Sequence, residues 1–333
     1  MKWRVNLTNL IEIKNLFIEY KVEGAMQEKK TVHAVNDLSL EIKQGEILSI
    51  AGESGCGKST LAKAILRLID VKSGEILMGE RETVNGKRNI LDLNKKELKK
   101  FRQQAQIIFQ NPYSSLNPKM KIYDILKEPL IVNKELESLK GLNKQEINKI
   151  ITDTIKQVGL DESVLSLYPH EFSGGQRQRI AIARSLILNP KFIVADEPVS
   201  ALDVSIQAQI INLLNELKEK FNLTFLFISH DLSVIKYLSD RVAIMYLGEI
   251  VELGTSEEIF NTTKHPYTQA LLSANPGNKE EKIILKGELP SPTNLPSGCK
   301  FHTRCPHVME VCKTVVPNKT QFSNSHCAYC HLY

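Results

Sequence analysis

The sequence lacks the features that mark membrane-spanning, secreted, fibrous and disordered chains. No apolar run approaches the roughly 18 residues of a transmembrane helix. The opening residues, MKWRVNLTNLIEIKNLF, carry too many charges for a signal peptide. Internal repeats and low-complexity tracts are missing, and the contents of hydrophobic (42%) and charged (24%) residues are ordinary for globular proteins. We therefore expect a soluble, cytosolic protein, and 333 residues predict one large domain with an appendage.

A strong charge of one sign is also missing. Lys and Arg number 43 and Asp and Glu number 38, so the net charge is only +5, and this excess is spread along the chain. A nucleic-acid binder normally concentrates its basic residues in one stripe or patch. The sequence therefore favours no nucleic-acid partner.

Cysteine is nearly absent until the end of the chain. Cys56 stands alone, whereas the other five cysteines lie within the last 35 residues, at Cys299, Cys305, Cys312, Cys327 and Cys330. In a chain without a secretion signal, such clustering indicates a metal or cluster site more than a disulfide framework.

Alternating apolar residues predict two strands near the start of the chain, over 11–20 and 38–51, with a turn at Gly45. The polar stretch KVEGAMQEKKT between them predicts a hairpin loop. A glycine-rich turn over 52–57 follows, and the spacing of Leu, Ile and Leu predicts a helix over 58–69.

The rest of the chain alternates between helical and strand patterns. Residues 91–160 predict a largely helical insertion, after which shorter apolar runs return. Further strands are predicted in FIVADEP, FLFISH and RVAIMYLGEIVELG, with a helix in NLLNELKEKFN. This alternation implies a mostly parallel sheet covered by helices. Near residue 264, Pro, Ser and Gly become frequent and predict a linker into the cysteine-bearing tail.

A phosphate loop is predicted between the second strand and the first helix. The segment GESGCGKS at 52–59 fits the pattern G-x-x-x-x-G-K-[ST]. Its glycines permit a loop whose N–H groups face phosphate oxygens, Lys58 can reach the β- and γ-phosphates, and Ser59 can bind Mg²⁺. The residues expected to bind ATP are Gly52, Ser54, Gly55, Cys56, Gly57, Lys58, Ser59 and Thr60.

A pair of acids supplies the second half of this site. Asp196 and Glu197 follow the apolar residues 192–195, and open α/β sheets bind ligands at the carboxyl ends of their strands. We expect Asp196 to hold Mg²⁺ and Glu197 to polarise the attacking water.

The segment FSGGQ, at 172–176, stands before these acids. It closely resembles LSGGQ, the signature of the ATP-binding-cassette (ABC) ATPase family, with Phe in place of the leading Leu. The resemblance covers roughly residues 9–260. It implies an α/β fold with a P-loop parallel-sheet core, an antiparallel β subdomain and a helical signature subdomain over about 112–185. The implied domains are a nucleotide-binding domain over 9–262 and a small Cys-rich extension over 263–333.

The resemblance also implies roles for single residues. Gln110 matches the glutamine that touches Mg²⁺, so Mg²⁺ is expected to contact Ser59, Gln110 and Asp196. His230 matches the histidine that contacts the γ-phosphate. Gln110, His230 and Glu197 are the expected catalytic residues, and Tyr20 matches the aromatic that stacks on adenine. The residues expected to contact the ATP of a partner subunit in trans are Phe172, Ser173, Gly174, Gly175, Gln176 and Asp203.

The segments HPYTQALLSA, GELPSP, GCKFHTRCP and CHLY resemble the C-terminal extension of F-type or D-type ATP-binding subunits of oligopeptide/dipeptide ABC importers. This resemblance implies an ATPase at the cytoplasmic face of the membrane that powers peptide import. Its implied partners are a second ATPase subunit in a heterodimer, two permeases and, indirectly, an extracytoplasmic peptide-binding protein. An importer of nickel chelates or other small solutes is the alternative. A soluble ABC ATPase acting on DNA or ribosomes would predict a coiled-coil insertion or two fused cassettes, which the sequence lacks.

Four cysteine thiolates could hold either Zn²⁺ or an iron–sulfur cluster. The spacings in this tail are wider than those of structural zinc sites. The family resemblance implies a [4Fe–4S] cluster on Cys299, Cys305, Cys312 and Cys330, with Cys327 outside it; Zn²⁺, free thiols and a mixed site with histidines remain alternatives. Because the tail follows a proline-rich linker, we expect loss of the cluster to leave ATP binding largely intact and to destabilise mainly the residues beyond about 290.

Overall fold

The computed structural model describes residues 9–23, 29–79, 87–135, 139–274 and 282–333. The first eight residues, part of the segment that is too charged for a signal peptide, lie outside the described residues. The chain divides into two compact units. The first combines Met1–Leu91 with Ile228–Tyr333, and the second is Asp92–Phe227.

Strands and helices alternate along much of the described chain. The strands are β1 (Asn9–Glu23), β2 (Lys29–Lys43), β3 (Ile47–Ala51), β4 (Ser73–Gly79), β5 (Lys87–Asn89), β6 (Ala105–Ile108), β7 (Phe192–Asp196), β8 (Thr224–Ile228), β9 (Arg241–Tyr246), β10 (Glu249–Thr255), β11 (Lys319–Gln321) and β12 (Cys327–Tyr329). The helices are α1 (Lys58–Ile65), α2 (Lys95–Gln104), α3 (Pro112–Ser115), α4 (Ile122–Val132), α5 (Lys144–Gln157), α6 (Gly174–Leu186), α7 (Val204–Phe221), α8 (Leu232–Leu238), α9 (Ser256–Thr262), α10 (Pro266–Ser273) and α11 (Glu310–Thr314). Within the described ranges, no helix has the length and apolar character needed to cross a bilayer.

The first unit contains an antiparallel sheet with the order β2-β1-β4-β5. In the hairpin of β1 and β2, Tyr20 pairs with Val32 and Val22 pairs with Lys30. The prediction of a loop over 21–31 was therefore wrong in its extent, because backbone pairing continues beyond the apolar alternation. The helix predicted over 58–69 is also shorter than expected: α1 ends at Ile65, and Arg67 takes a left-handed φ of 49°.

A second sheet in the first unit has the order β11-β12-β10-β9-β3. Strands β3 and β9 are parallel, whereas β9 and β10 form an antiparallel hairpin. Strand β12 pairs with β10 through Leu253 and Cys327. The C-terminal segment therefore adds two strands to this sheet, where the sequence had predicted an appended tail.

An aromatic cluster packs the C-terminal segment against the sheet. The ring of Phe301, 1% exposed, lies 5.3 Å from that of Tyr246 at an interplanar angle of 86° and 5.4 Å from that of Tyr267. All three side chains are buried, together with His265. Since Tyr246 ends β9 and Tyr267 belongs to α10, the core of the first unit includes residues from both sides of the predicted domain boundary.

The second unit carries β6, β7 and β8 with helices α2 to α7. Strands β6 and β7 are parallel, from Ala105 beside Phe192 to Ile108 beside Ala195. The prediction that 91–160 is largely helical was therefore wrong for β6. Both ends of this short strand are buried, so its pairing with an apolar neighbour outweighs the helical character of the flanking sequence.

Candidate active site

The phosphate loop lies between β3, whose five residues are all buried, and the first residue of α1. Gly57 has a φ of 107°, and a Cβ there would lie 2.2 Å from the carbonyl oxygen of Ala34. At Gly52, a Cβ would lie 2.2 Å from the carbonyl oxygen of Met245. The loop therefore runs directly against the backbones of β2 and β9, and only glycine fits at these two positions.

Lys58 crosses the loop. Its Nζ donates hydrogen bonds to the carbonyl oxygens of Gly52 and Glu53, at 2.8 and 2.9 Å. Helix α1 begins here, so its first N–H groups and positive dipole end favour an anion at this place. Ser59 and Thr60 follow in the first turn and are half-buried. Burial raises the pKa of the Cys56 thiol, so this side chain stays neutral inside the loop.

The predicted acids lie where β7 ends. Asp196 is its last residue and is 8% exposed, and Glu197 follows with a left-handed φ of 47°. Such a conformation is unfavourable for a non-glycine residue and is found often at functional sites. The side chain of Gln110 donates from Nε2 to Oε2 of Glu197 at 2.7 Å. Two of the three predicted catalytic residues are therefore in contact.

The signature segment forms the start of α6. Ser173 caps the helix. The N–H of Ser173 donates to Oε1 of Gln176 at 3.0 Å, and the N–H of Gln176 donates to Oγ of Ser173 at 3.4 Å. The carbonyl oxygen of Phe172 accepts a hydrogen bond from Nε of Arg177 at 2.8 Å. These contacts fix the segment at a helix N-terminus, which is a suitable place to bind an anion.

Two small residues and one acid complete the predicted trans contacts. A Cβ at Gly175 would lie 2.4 Å from Cγ2 of Ile206 on α7, whereas a Cβ at Gly174 would meet its nearest neighbour, on Leu202, at 3.4 Å. Gly175 therefore has a packing role beside its predicted binding role. Asp203 is exposed and occupies the N-cap position of α7.

His230 and Tyr20 lie in the first unit, like the phosphate loop. The N–H of Ser229, the residue before His230, donates weakly to the carbonyl oxygen of Ile50 at 3.5 Å, and Ile50 belongs to β3, the strand that leads into the phosphate loop. Tyr20 is half-buried on β1. Gln110, Asp196, Glu197 and the signature segment belong to the second unit. The roles assigned to all these residues stay predictions.

Four cysteines surround one small cavity in the first unit. Cys299, Cys305, Cys312 and Cys330 line it, together with His265 and Phe301, and Cys327 is not part of the lining. Burial raises the pKa of Cys299 to about 11, and the neighbouring thiols add to this effect. Burial also raises the pKa of Cys305 and of Cys330. In the part of the chain that the structure describes, no three His, Cys, Asp or Glu side chains are grouped to hold a metal ion.

The sequence had not indicated a further contact that the structure makes with the loop. Arg304 donates from Nη1 and Nη2 to the two carboxylate oxygens of Glu53, at 2.8 and 3.1 Å. The hydroxyl of Tyr267 accepts a hydrogen bond from the N–H of Glu53 at 2.9 Å. Arg304 stands next to Cys305, one of the predicted cluster ligands. A contact between residues 251 positions apart cannot be read from local spacing.

Comparison with known proteins gives two matching families. Residues 35–200 match the ABC transporter family, and residues 251–312 match the oligopeptide/dipeptide transporter C-terminal region. The oligopeptide transport ATP-binding protein AppF of Bacillus subtilis (strain 168) is 46% identical over 98% of this chain and 98% of that protein. OppF of Haemophilus influenzae, also an oligopeptide transport ATP-binding protein, is 45% identical over 96% of each chain.

A solved structure is similar as well. The ATP-binding cassette MJ0796, a dimer in a post-hydrolysis state bound to ADP and Pi, matches with a TM-score of 0.62 and 31% identity. The match covers 74% of this chain and 98% of that one. The similarity supports the α/β fold that the motifs predicted.

The packing at Gly175 can be tested directly. Gly175→Ala should lower the free energy of unfolding by ~1–3 kcal/mol, because its methyl group overlaps Ile206. Adding Ile206→Ala should restore part of this loss, since it removes the overlapping atoms. Urea unfolding of the two single variants and the double variant measures the coupling between the sites. Strictly additive losses would show that the two residues do not compete for space.

Proposed function

The chain belongs to the ABC transporter family and carries the oligopeptide/dipeptide transporter C-terminal region, and from this we propose that it is the ATP-hydrolysing subunit of a peptide importer. The observation that supports ATP binding most is the loop between β3 and α1, with Lys58 bonded across it. We further propose an ATPase domain over 9–262, with a helical subdomain over about 112–185, and an extension over 263–333.

In the proposed site, the chain binds MgATP through its own phosphate loop. The ammonium of Lys58 and the N–H groups at the start of α1 neutralise the β- and γ-phosphates. Ser59, Asp196 and Gln110 would hold Mg²⁺, which draws charge from the phosphate oxygens when bound. Tyr20 would stack on adenine, because its aromatic face suits a purine.

Hydrolysis is assigned to Glu197. The carboxylate of Glu197 polarises the attacking water. Gln110 orients this carboxylate through the hydrogen bond of 2.7 Å between them. His230 contacts the γ-phosphate. Positioning and charge neutralisation supply most of the catalysis in phosphoryl transfer, so a side chain that fixes the base contributes to the rate.

A second ATPase subunit completes the site. The chain has one phosphate loop and one signature segment. The N-terminus of α6 also favours an anion, but the phosphates of this chain's own ATP would already be bound by its phosphate loop. The N–H groups at Ser173 to Gln176, with Asp203, would contact the nucleotide of the partner. A heterodimer of this kind, with two permeases and an extracytoplasmic peptide-binding protein, would form the importer.

A groove in the second unit is the proposed permease contact. Its volume is about 660 Å³, and its wall includes Phe109, which is 40% exposed and precedes Gln110. The basic residues that line it are Lys95, Lys99, Arg102 and Arg184. A cytoplasmic permease segment with apolar and acidic side chains would fit. Because Gln110 is bonded to Glu197, this contact would link transport to hydrolysis, and it would place the chain at the cytoplasmic face of the membrane.

We also propose that Cys299, Cys305, Cys312 and Cys330 hold a [4Fe–4S] cluster. Their meeting around one cavity, with Cys327 excluded, supports this choice of ligands. Because the thiols of Cys299, Cys305 and Cys330 have raised pKa values, binding must displace their protons. The cluster would be structural and stabilise the segment beyond about residue 290.

Two variants distinguish ATP binding from ATP hydrolysis. Glu197→Gln should retain ATP binding and lose ~10²–10⁴-fold in turnover, because a positioned base is removed. Lys58→Ala should impair ATP binding itself. Nucleotide titration, ATPase assays with the partner subunit and peptide uptake by the assembled importer provide the measurements. Wild-type turnover by Glu197→Gln would exclude Glu197 as the base.

The cysteine proposal is tested by colour and metal content. Anaerobically purified protein should be brown, with broad absorption near ~400 nm, as expected for cysteine-bound iron–sulfur clusters. Cys305→Ser should remove this absorption, and Cys327→Ser, the matched control, should keep it. Iron, sulfide and zinc analysis decides the identity of the metal. About one zinc and no iron per chain would replace the cluster with a zinc site.

A further inference from the structure

We propose that Arg304 is a positioning residue for the phosphate loop: by holding and neutralising Glu53, it makes ATP affinity depend on the C-terminal segment. The inference rests on the proposed function, since it assumes that this loop binds ATP phosphates. It adds a residue of the extension to the machinery of nucleotide binding.

Glu53 is held on three sides. Its carboxylate accepts two hydrogen bonds from Arg304, its N–H donates to Tyr267, and its carbonyl oxygen accepts a hydrogen bond from Lys58. Two of these three partners, Arg304 and Tyr267, belong to the C-terminal region. Because Glu53 lies between Gly52 and Ser54, these contacts restrict the path of the loop itself.

The charge of Glu53 makes Arg304 necessary. A carboxylate in a loop that binds a polyphosphate repels the ligand unless a cation neutralises it. The side chain of Arg304 is 10% exposed and that of Glu53 is 28% exposed, so solvent screens this pair little. The two parallel bonds form a bidentate arrangement, which is strong and geometrically specific.

Arg304 is itself fixed by the fold of its segment. Successive turns run from Cys299 to Arg304: the N–H of His302 donates to the carbonyl oxygen of Cys299, and the N–H of Arg304 donates to that of Phe301, both at 3.0 Å. Phe301 is anchored in the aromatic core. The turns of the cysteine-bearing segment and the buried ring of Phe301 therefore fix the position of Arg304.

The test is a double-variant cycle on nucleotide affinity of the full chain. Arg304→Met should weaken MgATP binding about tenfold, because it leaves the Glu53 carboxylate without its counter-charge. Glu53→Gln should change affinity little, and Glu53→Gln/Arg304→Met should return close to the wild-type value, since neither charge remains. Lys313→Met is the matched control, because it removes an exposed ion pair with Glu310 from the same segment and should leave affinity unchanged.

Each outcome has one meaning. Unchanged affinity in Arg304→Met would overturn the proposal. A double variant as weak as Arg304→Met would overturn it too, because Arg304 would then act through folding and not through the charge of Glu53. Loss of affinity in Lys313→Met would assign the effect to the segment in general. Failure of the wild-type chain to bind ATP, with Lys58→Ala no different, would instead reject the proposed function.

Discussion

The close approach of three backbones around the phosphate loop is the constraint on which the rest of the site depends. The loop runs so near to the carbonyl oxygens of Ala34 and Met245 that no side chain fits at Gly57 or Gly52. The N–H of Gly248 also donates to the carbonyl oxygen of Cys56 at 2.9 Å. Strands from both sheets of the first unit therefore shape the loop before any ligand contributes, and such preorganisation is what an anion site requires.

The C-terminal segment belongs to the same construction. It supplies strands to the sheet that contains β3, aromatic side chains to the core and an ion pair to the loop. A peptide importer's ATPase would thus have a nucleotide site whose geometry depends on residues near the end of its chain. The extension is physically a part of the ATP-binding unit, although its sequence resembles a linker followed by a tail.

Sequence motifs predicted the chemistry of the site better than they predicted the packing of the chain. The order of glycines, Lys58 and the acids after an apolar strand indicated the phosphate loop, and FSGGQ at 172–176 indicated the family and its fold, because local patterns encode them. Cys299, Cys305, Cys312 and Cys330 line one cavity and Cys327 does not, but the role of the four as cluster ligands stays a prediction. The contact of Arg304 with Glu53 and the strand β6 were missed, since both depend on partners distant in sequence. The helical pattern of the flanking residues hides the strand β6, and Arg304 contacts a residue 251 positions away.

In the proposed importer, this chain would supply only half of each hydrolytic site. The most direct measurement is the ATPase rate per subunit at saturating MgATP as a function of protein concentration, with and without the partner subunit. We predict slow hydrolysis by the dilute chain, despite full nucleotide occupancy, and a rate that rises steeply when the partner is added. Fast hydrolysis that is independent of concentration and of the partner would contradict the account.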